Sequence, residues 1–196
     1  MTSPYSNLPV ERWLSVTQTL VDRHPLDAET IVDAVLSSWE SIFASRLGTK
    51  GFYIGKDIFP KPQIMGFLLH ELIPLELAAK YPGIWRGDRS AVEKDLVYLP
   101  DDSFSIEVKT SSHRNHIYGN RSYSQGTSKG KKGKSGYYLA VNFEKFSVSQ
   151  NPAIRLIRFG WLDASDWIGQ KAATGQQSRL LADVEKYKLL TVYIKA

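Results

Sequence analysis

Asp95, Glu107 and Lys109 are the residues of this chain whose types and spacing could do chemistry. Glu107 and Lys109 lie two positions apart in a run of strand character, Phe104 to Thr110, so both project from one face of a strand. Asp95 sits in the preceding apolar run, Lys94 to Leu99, and a tight hairpin would bring the three together. Two convergent carboxylates hold a hard cation such as Mg²⁺ through oxygen and leave coordination positions open. A cation there neutralises charge on a phosphodiester and activates water. Lys109 beside it would orient the attacking water and stabilise charge developing on phosphorus. The chemistry indicated is metal-dependent phosphodiester hydrolysis, although an acid-x-lysine pattern also occurs on solvated strand edges. Register is the test: if Leu99 and Ser103 pair across Pro100-Asp101-Asp102, Asp95 faces Glu107, whereas a loop one residue longer puts them on opposite faces.

The elements that must position this trio fall into a helical first part and a mainly β second part. Apolar residues recur at helical spacing from Pro9 to about Val21, and a stronger helix follows Asp27, its N-cap, closing near Gly48. A third helix is expected over Pro62 to Lys80, kinked or restarted at Pro74. It carries the buried candidates His70 and Glu71, of which Glu71 is the additional catalytic candidate, as a further metal ligand or a water-positioning group. Glu76 competes with Glu71, and Asp88 competes with Asp95 as first metal ligand. After the Tyr81-Pro82-Gly83 turn the pattern changes to period two, with strands at 94–99, 104–110, 137–143, 154–163 and 188–195.

Charge is distributed unevenly. The chain of 196 residues has a formal net charge of +5. Between Thr110 and Phe143 there is no acidic residue, while Arg114, Arg121, Lys129, Lys131, Lys132 and Lys134 all lie there. A basic, glycine-rich and serine-rich segment following the catalytic strand suits a phosphate backbone, although such a stretch is also compatible with a solvated loop. Within it, Ser111, Asn115, Asn120, Arg121, Tyr123 and Gln125 offer donors and acceptors of the kind that read base edges. A second segment, with Gln170, Lys171, Thr174, Gln176, Gln177 and Arg179 around Gly175, is similarly rich in amide and basic side chains and is assigned as a second DNA-contacting loop. Trp161 and Trp167 are expected to pack rather than stack on bases.

Several other chemistries are excluded. With no cysteine there is no disulfide scaffold, thiolate zinc site or thiol nucleophile, and no Gly-x-Ser-x-Gly elbow is present. Gly130 to Ser135 ends like a phosphate-binding loop, but Ser128 stands where the first glycine is required and a strand follows, so no nucleotide cofactor is expected. Tyr53-Ile54-Gly55 matches half of a GIY-YIG nuclease signature and is expected to be a turn between helices. His113 and His116 lack the partners of a zinc pattern and are expected to contact DNA or to be exposed. The N-terminus has no basic region followed by an apolar stretch and no run reaches transmembrane length, giving the expectation of a soluble cytoplasmic protein without membrane contact.

The Asp95, Glu107-x-Lys109 pattern resembles the active site of the PD-(D/E)xK nuclease superfamily, with Lys94 in place of the leading proline. The segments EVKTSSHRNHIYGNRSYSQG and RFGWLDASDWIGQKAATGQQSRL resemble type II restriction endonucleases of the ScaI type. The resemblance implies an α/β fold with a restriction-endonuclease-like core, a mixed central β-sheet flanked by helices, and a helical N-terminal part. It implies a homodimer that cuts both strands of double-stranded DNA at a short palindromic site with Mg²⁺, as part of a restriction-modification system. Residues 1–196 are then one nuclease domain, 1–82 being mainly helical scaffold and dimerisation part and 83–196 the catalytic sheet and recognition loops. A repair or junction-resolving nuclease, cutting by structure, and a non-catalytic DNA-binding protein are the alternatives.

Overall fold

Helices fill the first part of the chain and begin where the sequence offers start signals. The computed structural model describes residues 2–125, 133–171 and 175–195. A 3₁₀ turn, Val10–Arg12, leads into α1 (Trp13–Asp22). Helix α2 (Ala28–Ala44) is capped by the Asp27 carboxylate, which accepts from Thr30 N at 2.7 Å. It closes at Ala44 rather than near Gly48, because a ribbon of β1 (Arg46–Leu47) and β2 (Phe52–Tyr53) begins there, reversing through Gly48 and Gly51, both with positive φ. Tyr53 ends that ribbon. Helix α3 (Pro62–Lys80) runs unbroken through Pro74. Proline there removes one N–H, the one that would reach the His70 carbonyl, and burial of Ile73, Pro74 and Leu77 holds the helix together.

The second part supplies β3 (Trp85–Gly87), β4 (Leu96–Tyr98), β5 (Ile106–Ser111), β6 (Tyr118–Asn120), β7 (Gly136–Phe143), β8 (Ile154–Leu162), β9 (Ile168–Gly169), β10 (Gln177–Arg179), α4 (Ala182–Tyr187) and β11 (Leu189–Ile194). Six strands form a mixed sheet in the order β11-β8-β7-β5-β4-β3, in which β5 and β7 are parallel and the other neighbours antiparallel. Every residue of β7 is buried, as a central strand covered on both faces requires. Tyr137, Leu139, Val141 and Phe143 enter the core shared with α1, α2 and α3. Tyr138 and Ala140 face a second cluster with Ile117, Trp167, Leu180 and Val184. Among the described residues, no helix is long and apolar enough to cross a membrane.

The two segments expected to be recognition loops are joined. Strands β6, β10 and β9 form a second antiparallel sheet, pairing Asn120 with Gln177 and Arg179 with both Tyr118 and Ile168. Their shortness and polar composition hid these strands from period-two reading. Trp161 and Trp167 are buried, as packing residues should be.

The β4–β5 register places Leu96 opposite Ile106, and therefore Asp95 opposite Glu107. The connection is a 3₁₀ turn, Asp102–Phe104, instead of a bare hairpin loop. Asp101 accepts from Ser103 N at 2.9 Å, and Ser105 Oγ donates to Asp102 at 2.8 Å while accepting from Tyr98 N at 3.0 Å. From the helical side, buried His24 accepts from Leu26 N at 3.1 Å through Nδ1 and donates from Nε2 to the Phe104 carbonyl at 3.0 Å. The imidazole is packed among Trp85, Phe104, Tyr137 and Phe159.

Burial holds the His24 pKa below its ordinary 6.5. As pH falls below that value the unfolded chain takes up the proton more readily, so this contribution to stability is complete above it and declines in acid. The stability gap between wild type and His24→Phe, measured by urea unfolding, is expected to narrow from about pH 8 to about pH 5. A constant gap would show that the His24 pKa is the same in the folded and unfolded chain.

Candidate active site

Asp95 lies one residue before β4 and Glu107 is the second residue of β5, so two acids meet across adjacent strands. Both are nearly inaccessible, at 4% and 2% exposure. Carboxylates so buried require donors or cations around them. Asp95 Oδ2 accepts from Val108 N at 2.8 Å and lies 3.1 Å from His70 Nε2. The Val108 N–H is the one that continued antiparallel pairing would have given to Lys94, so the carboxylate replaces the ladder where β4 leaves β5. The hydrogen bond to Asp95 raises the His70 pKa, against the effect of burial.

Glu107 Oε1 accepts from Lys109 Nζ at 2.7 Å and from the Tyr123 hydroxyl. Lys94 Nζ stands 3.9 Å from Glu107 Oε2 and donates to the Gly133 carbonyl at 2.7 Å. Lys109 Nζ is also 4.8 Å from the centre of the Tyr123 ring, a cation-π contact. Burial, then the charge of Glu107, pushes the Tyr123 hydroxyl far above its ordinary range, so it remains a donor.

The structure therefore brings Asp95, Glu107 and Lys109 to one place and adds Lys94, His70 and Tyr123. Each addition carries a visible residue type but a different expected role. Lys94 was a departure from a motif, His70 a neighbour of the preferred Glu71, and Tyr123 a base reader. Glu71 is 56% exposed at its side chain, with Oε1 3.6 Å from His70 Nδ1, so it meets Asp95 through the imidazole. Glu76 accepts from Ser41 of α2 at 3.4 Å, and Asp88 is exposed beyond β3. Among the described residues no three His, Asp or Glu side chains converge as a metal cluster. Asp95 and Glu107 alone supply two hard oxygen donors suited to Mg²⁺, an incomplete shell that substrate phosphate and water could complete.

A groove of about 990 Å³ reaches this site at His70 and Thr110 and lies between His70 and Glu71 of α3, Ser111 to Arg114 at the end of β5, and Tyr118 to Asn120 with Gln177 of the smaller sheet. Of the expected DNA contacts, Ser111, Arg114, Asn120 and Gln177 line it. Gln125, Lys171, Gln176 and Arg179 are exposed. Arg121 ties the two segments together: its backbone N donates to Gln176 O at 2.8 Å and its Nη1 to Gly175 O at 3.0 Å. Within the second segment, the Gln170 backbone N donates to Gln177 O at 3.2 Å. Lys134 Nζ donates to the carbonyls of Ser122 and Gln125. Lys129, Lys131, Lys132 and Thr174 lie outside the described residues.

Polar residues inside apolar strands support the groove floor. Asn142 Nδ2 donates to the carbonyls of His113 and His116 at 2.9 and 3.0 Å, and Arg158 Nη2 donates to Asn115 O at 2.7 Å and Asn142 Oδ1 at 3.2 Å. Glu185 of α4 accepts from Ile117 N at 3.1 Å and lies 2.5 Å from His116 Nδ1. His116 is thus engaged from behind. An asparagine within YYLAVNF and an arginine within IRLIRFGWL are the signal of such a network: a polar side chain in a doubly buried strand needs partners.

The family model described as ScaI restriction endonuclease matches residues 3–193. The type II restriction enzyme ScaI of Streptomyces caespitosus is 57% identical over 194 residues, spanning 97% of this chain and 85% of that enzyme.

Asn142→Leu should leave two loop carbonyls without their donor, at a cost of about 1–3 kcal/mol for each group left unsatisfied in the interior. Urea unfolding should show the loss, and duplex DNA binding measured by gel shift in Ca²⁺ should weaken. Lost stability with unchanged affinity would separate this network from DNA recognition.

Proposed function

The chain belongs to the ScaI restriction endonuclease family and is a site-specific deoxyribonuclease, and from that premise we propose a Mg²⁺-dependent mechanism of the PD-(D/E)xK type centred on Asp95, Glu107 and Lys109. The observation that carries it is the opposition of two buried carboxylates with Lys109 Nζ on one of them. Asp95 and Glu107 would hold Mg²⁺, which supplies charge neutralisation at the scissile phosphate and activation of water. Val108 N and His70 keep Asp95 in place. Lys109 positions the attacking water and faces the negative charge that grows on phosphorus, while Lys94 brings a second cation to the other Glu107 oxygen. The protein oxygens form only part of a shell, so DNA and metal would bind better together than separately.

The groove that His70 lines accepts duplex DNA in this reading, with Arg114 directed to phosphate and Asn120 and Gln177 to base edges. Ser111, Asn115, Arg121, Tyr123, Gln125, Lys129, Lys131, Lys132, Lys134, Gln170, Lys171, Thr174, Gln176 and Arg179 complete the proposed DNA-binding set, some of them by shaping the surface. One chain carries one catalytic trio, whereas cutting both strands takes two. A homodimer with its two-fold axis on a palindromic site supplies them, with residues 1–82 as its helical scaffold and dimerisation part and residues 83–196 as catalytic sheet and recognition loops. Glu71 acts at the edge of the site through His70.

Unmethylated plasmid incubated with the protein and Mg²⁺, without nucleotide, should give discrete fragments whose sequenced ends define one site. Glu107→Ala should abolish cleavage, and Lys109→Ala should slow it by about 100-fold or more, with the thermal unfolding of both variants still cooperative. Cleavage retained by both variants would overturn the assignment.

A further inference from the structure

We propose that Tyr123 is a positioning residue that couples the recognition sheet to the catalytic carboxylate. This rests on the reading of Glu107 as a metal ligand and adds to it a residue through which bound DNA governs that ligand. Tyr123 touches both systems. Its hydroxyl donates to Glu107 Oε1 and its ring faces Lys109 Nζ, so it meets both members of the Glu-x-Lys pair. It also sits in the 3₁₀ turn Arg121–Ser124, immediately after β6 and its groove-lining Asn120.

The connection between the two ends is tight. A Cβ built on Gly119 would lie 2.9 Å from Tyr123 Cγ and 2.8 Å from Ser178 Oγ, so only glycine lets the ring and β10 close on this backbone together. Behind the ring stands Trp167, with centroids 4.9 Å apart. Ser178 Oγ donates to Asn120 O at 3.0 Å, and Arg121 holds Gly175 and Gln176 of the other segment. A shift of β6 or β10 along the groove must therefore move the phenol, and the phenol holds Glu107.

What the phenol does to Glu107 follows from its lone pairs. Lys109 and Tyr123 both occupy Oε1, which stops the carboxylate from rotating about its terminal bond. The orientation of Glu107 toward a cation is then set partly by an element that reads DNA. A site misread by β6 and β10 would present Glu107 wrongly, and cleavage would fall even where the protein remains bound. The hydroxyl contributes orientation and its ring contributes packing, so phenylalanine separates the two.

The test uses full-length protein and a duplex carrying the site mapped from plasmid digestion. Tyr123→Phe should lower the single-turnover cleavage rate at saturating Mg²⁺ by about 10–100-fold. Its affinity for the duplex in Ca²⁺-free, Mg²⁺-free buffer should fall by a far smaller factor than the cleavage rate. Mn²⁺ binding to the complex with an uncleavable phosphorothioate duplex, followed by electron paramagnetic resonance, should weaken by a similar factor. Gly119→Ala should reproduce the cleavage and Mn²⁺ defects from the recognition side. Wild-type rate and Mn²⁺ binding in Tyr123→Phe would overturn the coupling. Glu107→Gln separates the underlying reading: if it retains both Mn²⁺ binding and cleavage, the metal-site assignment itself falls, whatever Tyr123→Phe does.

Discussion

The parallel pairing of β5 with β7 is the constraint on which the rest of this molecule depends. Parallel neighbours cannot be joined by a hairpin, so the chain must leave β5 at Ser111, cross the sheet and return at Gly136. That obligatory crossover holds the acid-free basic segment and β6. Its return strand places Tyr138 beside Glu107 and Ala140 beside Lys109. Catalytic strand, recognition element and strand next to the catalytic strand are therefore consecutive in sequence. In the proposed function, recognition is built on a connection that the sheet topology required in any case.

Charge burial is managed differently at the two ends of this sheet. Near β11, Lys188 is 3% exposed and bonds to Asp163 at 2.9 Å and Asp166 at 2.8 Å, beneath the rings of Tyr5 and Trp13. Asp163 also accepts from Ser3 at 2.7 Å, so the N-terminal segment closes over this group. One lysine stands against two carboxylates here, and burial raises the Asp166 pKa, which eases the excess negative charge of a cluster that orders the elements around it. At the Asp95 and Glu107 end the acids come from separate strands, with lysines and an imidazole at their margins, and that imidazole, His70, lines the open groove. The first arrangement suits a closed structural node. The second suits a centre that must admit a cation and a phosphate.

Much of the fold was legible in sequence because its elements are long and periodic. The α3 bounds, the four longer strands and the short β4 emerged from hydrophobic period and turn chemistry, and of the two registers the sequence left open the one that opposes Asp95 to Glu107 is found. The register was reached through a 3₁₀ turn, yet Pro100-Asp101-Asp102 still delivered the correct offset because Ser105 and the two aspartates fix the connection. The smaller sheet was not legible: β6 and β10 span three residues each and β9 two, too few to show a period, and β6 pairs with β10 across more than fifty positions of sequence. Residue types near the site were visible, but their roles were not. Whether a tyrosine in a polar loop faces a base or a buried glutamate depends on which backbone passes behind it, and at Tyr123 that backbone is Gly119.

Specific cleavage demands that a correct sequence be reported to the scissile bond, and this architecture limits how the report can travel. The groove-lining residues of β6 and β10 are separated from Glu107 by a short, close-packed path through Gly119 and the Tyr123 ring. Close-packed interiors transmit small displacements rather than absorb them. A neutral phenol suits this position better than a third lysine would. It restrains the carboxylate without further neutralising the charge that attracts a cation, and its raised pKa keeps the proton in place beside Glu107. In the proposed mechanism Lys109, by contrast, brings its ammonium to face the charge that develops on phosphorus. Under that mechanism, division of labour between a neutral restraint and a charged group on one carboxylate oxygen would let geometry respond to DNA while the electrostatics of the site stay constant.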